Sequence, residues 1–151
     1  MQNADIEFYH TIKTNYLQMK KNILLVRTAG AITTLFCVFH LSFYWLFHWK
    51  ERLSCLDTDT WAIFHAFNYG MNMMFILFAL ISLFMTKKLL TESLGKVMLV
   101  FMSSIYVMRI VSECVLWKCQ QSISAVIIIV CLLPVVLYLL PLFGRRNNLS
   151  D

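Results

Sequence analysis

Four apolar stretches, running roughly over 28–48, 61–84, 95–117 and 122–143, occupy most of the 151 residues, and the charged side chains fall almost entirely between them. Each stretch is close to the ~20 apolar residues that an α-helix needs to cross ~30 Å of hydrocarbon. Within a bilayer the backbone has no water to bond, so such a stretch must satisfy its own amides by forming a helix. The reading is therefore an all-α integral membrane protein, a bundle of four transmembrane helices. A soluble bundle would need a polar face on every helix, and the last stretch offers only Ser124 and Tyr138. A composition of 60% hydrophobic and 14% charged residues points the same way, since soluble domains are nearer half and a quarter.

Four spans and their connections consume the chain and leave no room for a separate soluble domain. Residues 1–27 read as an arm, 28–143 as the spanning domain and 144–151 as a tail. The first stretch is longer than a signal-peptide core, follows a long polar and aromatic segment, and has no small-x-small cleavage site after it. It is expected to remain as a span. Lys13, Lys20, Lys21 and Arg27 in the arm, Lys87, Lys88 and Lys96 between the second and third spans, and Arg145 and Arg146 in the tail fall on one side. Only Lys50, Arg52 and Lys118 fall on the other, so the positive-inside rule puts both termini in the cytoplasm. Short loops and tails without a sorting signal fit a bacterial inner membrane. The net charge of +5 is thus a signal for orientation and lipid headgroups, with no nucleic-acid motif beside it.

Tyr9, Ile12, Tyr16, Met19 and Ile23 recur at helical spacing in the arm, with lysines on other faces. This predicts a short amphipathic helix lying in the headgroup layer ahead of the first span. Asp57 to Thr60 makes a helix start, with Asp59 as the first candidate for the cap. Trp45, Trp49, Trp61 and Trp117 cluster at the outer ends of three spans as an interfacial belt. The four-residue connection 118–121 makes spans three and four an antiparallel hairpin.

Cys37, Cys114 and Cys131 lie within spans, where a thiol ordinarily fills space. Cys55 and Cys119 are on the outer side and form a candidate disulfide between the first and third loops. No CxxC occurs, and no metal-ligand spacing is met.

Polar side chains inside the first three spans constrain function most. His40 and Tyr44, with His48 at the span's end, share one helix face; so do His65, Asn68 and Asn72, and so do Tyr106, Arg109 and Glu113. The fourth span has no ionisable residue in its core and reads as lipid-facing support, flexed near Pro134 and Pro141. Counted from the outer ends, His40, Asn68 and Arg109 lie roughly 10 to 12 Å deep and His65 and Glu113 roughly 6 Å. A charge near the bilayer centre costs about 2.5 to 3.5 kcal/mol on insertion scales, so Arg109 must face inward and find a partner. Glu113, one turn away, is the nearest. The expectation is a polar pocket in the outer half, centred on His40, His65, Asn68, Arg109 and Glu113. Interhelical hydrogen bonds that only hold the bundle together are the rival account, preferred for Tyr44, Asn72, Ser103, Ser104 and Tyr106.

Two functional readings follow; an enzyme is a third with less support, since a His, Glu and Arg in one pocket could do acid–base chemistry but no nucleophile or metal constellation recurs with recognised spacing. In the first, the pocket binds a small anionic or lipid-like ligand, with Arg109 as anchor and membrane lipids as the natural partners. Transport is its extension, and four spans would need a second copy of the chain or another membrane protein to enclose a path. In the second, His40 and His65 are axial ligands of haem b in an electron-transfer protein.

Overall fold

The computed structural model describes residues 2–116 and 122–143, and among these every regular element is a helix. Four of the helices are long and apolar enough to cross a membrane. Helix α1 (Gln2–Leu41) runs unbroken for 40 residues, about 60 Å at 1.5 Å per residue. The short amphipathic helix expected over the arm is therefore not a separate element. Physically, no Gly or Pro precedes Gly30, and the junction is built from Leu, Met, Lys and Gln, which propagate a helix. The repeat that begins at Tyr9 continues in register through Val26, Gly30, Thr33 and Cys37, which are buried, whereas Tyr9, Ile12 and Tyr16 remain exposed.

Regular helix ends at Leu41, short of the expected 48. The amide of Ser42 is shared between the carbonyls of Val38 and Phe39, at 3.1 Å each, and α2 (Phe43–Leu46) adds one more turn. His48 then adopts φ 50° and ψ 46°, a left-handed conformation that costs an L-residue roughly 1 to 2 kcal/mol. It turns the chain so that α3 (Trp49–Arg52) folds back and buries Trp49. Trp49 thus leaves the expected interfacial belt, while Trp45 and Trp61 stay exposed and Trp117 lies outside the described residues. Helix α4 (Thr58–Phe84) starts three residues before the expected boundary, and its cap is Asp57, not Asp59. The Asp57 carboxylate accepts from the amides of Asp59 and Thr60 at 3.1 and 2.9 Å and from the Thr60 hydroxyl at 2.6 Å. Asp57 wins because it alone is extended, at φ −63° and ψ 159°, the backbone shape a cap requires.

The connection after α4 holds a short helix, α5 (Thr86–Thr91), before α6 (Ser93–Leu116). Gly95 makes that turn feasible: a Cβ there would lie 2.5 Å from Leu89 Cα and from the Lys88 carbonyl. Helix α7 (Ser122–Phe143) runs through both prolines. α1 packs against α4 and α7, and α6 packs against α7 and α5; the Phe78 and Phe101 rings, 5.9 Å apart, join α4 to α6.

The fourth helix is not mere lipid-facing support. Tyr138 and Cys131 are buried on α7, and the Tyr138 hydroxyl lies 3.0 Å from both Thr33 and Ser82. Thr33 also lies 2.7 Å from the Tyr106 hydroxyl, so four buried hydroxyls, one from each long helix, meet in the core. One proton arrangement satisfies them all. Thr33 donates to the Ala29 carbonyl, both tyrosines donate to Thr33, and Ser82 donates to Tyr138. Tyr106 is expected from the sequence to bond between helices; Thr33 and Ser82 are not singled out, because a Ser or Thr hydroxyl can bond its own preceding turn and so shows no need for a partner.

Candidate functional site

Directly on the hydroxyl cluster stands a layer of rings. Phe36 of α1, Phe75 of α4 and Tyr106 of α6 lie within 5.4 to 6.1 Å of one another, centroid to centroid. Phe75 and Tyr106 are buried, so this layer joins three of the four long helices. On its far side, toward the end carrying Trp49 and Trp61 (the Trp end), is the polar cluster. Toward the opposite end, which carries Lys87 and Lys88 (the Lys end), are the hydroxyls.

Arg109 and Glu113 occupy the polar side of the floor. They are one turn apart on α6, and Nη1 of Arg109 lies 2.6 Å from Oε2 of Glu113. The Glu113 side chain is 4% exposed and that of Arg109 38%, so the carboxylate is sealed in together with Nη1 of Arg109, while the arginine side chain as a whole is partly exposed. Ser124, near the start of α7, donates to Oε1 of Glu113 at 2.7 Å. The carboxylate therefore has one oxygen on each neighbour. Pairing and hydrogen bonding of this kind are what allow a charge to stay buried.

His40 joins them from α1. Its ring rests 4.8 Å from Phe75 and 4.5 Å from Phe43, and Nδ1 donates to the Phe36 carbonyl at 2.9 Å. That bond directs Nε2 away from its own helix, and His40 lies within electrostatic reach of Arg109.

His65 belongs to a different assembly. Trp61 lies 4.2 Å from it, Trp49 5.5 Å, and Tyr44 and Tyr69 6.2 Å each, centroid to centroid. The ring is 7% exposed, and Nε2 has no hydrogen-bond partner. His65 precedes Phe75 by ten residues, about 15 Å of helix, whereas His40 touches Phe75. The two imidazoles stand at different levels of the bundle. Asn68 is half-buried, and its carbonyl accepts from the Asn72 side chain at 2.9 Å; the Asn72 carbonyl oxygen Oδ1 is buried and unbonded. Cys119 lies outside the described residues, and with it the expected disulfide; Cys55 is exposed.

Of the five expected residues, Arg109, Glu113 and His40 thus come together, Asn68 lines the same half, and His65 stands apart. Ser124 is the contributor that spacing alone did not single out for this site, because it lies on another helix eleven residues away. No family model, curated protein or solved structure matches the chain.

Proposed function

We propose that this chain is a multi-pass membrane protein that binds a small anionic amphiphile in a blind pocket, with Arg109 as the anchor of the ligand's headgroup. One observation carries the reading: an arginine within a membrane-length helix is paired to a sealed carboxylate yet keeps more than a third of its side chain exposed. A guanidinium used only to tie helices together would be enclosed with its partner. Partly exposed within a membrane-length helix, the side chain can turn its planar guanidinium toward a carboxylate, sulfonate or phosphate oxygen. The ring layer of Phe36, Phe75 and Tyr106 beneath the site supports binding over transport.

The basic residues gathered at the Lys end support, by the positive-inside rule, a cytoplasmic position for that end. The pocket then opens in the outer leaflet of a bacterial inner membrane, and its ligands come from that leaflet. The test compares Arg109→Leu with Lys87→Leu in the purified, lipid-reconstituted protein. Mass spectrometry of bound lipids should find an anionic amphiphile on wild type and Lys87→Leu that is at least tenfold depleted from Arg109→Leu. Equal occupancy in the three proteins would overturn the reading. A Soret band in wild type that disappears in His40→Ala would replace it with the haem reading.

A further inference from the structure

We infer that the Arg109–Glu113 site takes up its anionic ligand together with a proton, so that in net terms it binds a neutral acid. This rests on the reading of the site as an anion pocket. The argument begins with occupancy. Glu113 Oε2 already holds Nη1 of the guanidinium at 2.6 Å, so an arriving anion must share one positive charge with a carboxylate.

Charge then decides how the competition ends. At rest the site carries one positive and one negative charge. If the anion entered beside an ionised Glu113, two negative charges would share one guanidinium, one of them on a side chain 4% exposed. If Glu113 took a proton with no anion present, the charge of the pair would rise by one inside a membrane-length helix. Each case leaves a net charge in a low-dielectric region, where charges persist only when paired. When both arrive, the total is zero again: positive Arg109, negative ligand, neutral Glu113. The proton goes to Oε2, the oxygen that Arg109 releases, while Oε1 continues to accept from Ser124 at 2.7 Å. Atoms and charge balance, with water at the Trp end supplying the proton and no other reactant required.

The groups around the carboxylate single it out as the proton's acceptor. His40, on α1, stands within electrostatic reach of Arg109, so protonating it would add a second positive charge beside the first. From α7 come Ser124 and the Cys131 thiol, the latter within reach of both members of the pair. On α4 the polar groups of this half are the neutral Asn68 and Asn72, which bond each other, and His65, enclosed in its own rings.

The experiment uses the full chain in lipid nanodiscs, with empty discs subtracted. Its probes are decanesulfonate and methanesulfonate, whose sulfonates stay ionised between about pH 5 and about pH 8, so that any pH dependence belongs to the protein's own groups. Affinity should rise about tenfold for each unit fall in pH, the slope of one proton per ligand. Wild type in weak buffer should take up one proton per bound ligand, a reading that needs no variant to fold. Glu113→Gln should bind tightly with no slope, and His40→Gln should keep the slope. Slope with decanesulfonate alone assigns the ligand to the lipid phase, and slope with both probes assigns it to free anions. Binding that depends on Arg109 but neither varies with pH nor takes up protons would overturn the coupling and leave the anion pocket standing. Binding undiminished in Arg109→Gln, or no binding by wild type, would overturn the pocket itself.

Discussion

Single residues in this protein are decided by what their immediate neighbours do for a charge. Glu113 stays buried because Arg109 and Ser124 each take one of its oxygens. Asp57, in solvent, is governed by the same principle in a milder form. The Thr60 hydroxyl, and after it the Thr60 amide, holds its carboxyl below the usual range. A lowered folded value means that the cap stabilises α4 fully above the ordinary carboxylate pKa of about 3.9, and that this is lost as pH falls through the lowered value. Hydrogen exchange at the Asp59 and Thr60 amides, relative to intrinsic rates, should therefore show protection at neutral pH that fades on acidification below the ordinary range. Asp57→Asn, which caps without ionising, should keep its protection at both pH values, and Asp57→Ala should lack it at both.

At the scale of elements, close approach and left-handed turns do the shaping. Gly30 lets α1 lie against α4, where a Cβ would come within 2.8 Å of Ser82 Cβ. Gly95 lets α6 start beneath α5, where the obstacle is backbone and cannot rotate away. Gly70, by contrast, has nothing within 4 Å of an added Cβ. Gly95→Ala should thus destabilise the bundle by about 1 to 3 kcal/mol, the range of overpacking. Gly70→Ala should stabilise α4 by up to about 1 kcal/mol, through helix propensity alone. Reversible unfolding in mixed micelles measures both, and similar effects at the two sites would contradict the close packing of α5 on α6.

Across the whole molecule, one layer of rings separates two kinds of polar chemistry. On the Trp side a charged pair meets the edge of the bundle, and on the Lys side four hydroxyls are closed in and mutually satisfied. The hydroxyl cluster should behave as bundle packing. Tyr138→Phe should cost about 1 kcal/mol, the usual worth of a neutral hydrogen bond. A double-mutant cycle with Thr33→Val should give a coupling of about 0.6 kcal/mol and no more than about 1.7 kcal/mol, the range found between membrane helices. Ligand binding at Arg109 should be unchanged in Tyr138→Phe, because the layer of Phe36, Phe75 and Tyr106 stands between. A loss of binding there would join the two clusters into one site.

By itself the sequence determined that there are four long apolar helices, and nearly where the last three begin and end, because hydrocarbon thickness and backbone satisfaction depend only on local composition; the first began far earlier and ended a turn or two sooner than its apolar stretch implied. It also showed that Arg109 needs Glu113, because one helical turn makes them neighbours in any packing. Which helices meet was decided by tertiary structure alone. Tyr138 looked lipid-facing until α7 was set against Thr33 and Ser82, and Ser124 reached Glu113 only when the hairpin of α6 and α7 closed. His65 left the expected cluster because a left-handed turn at His48 brought Trp49 over it. The continuity of α1 was a local matter, with no residue present to break it, yet the exposure of its first turns was not: it depends on where the neighbouring helices end.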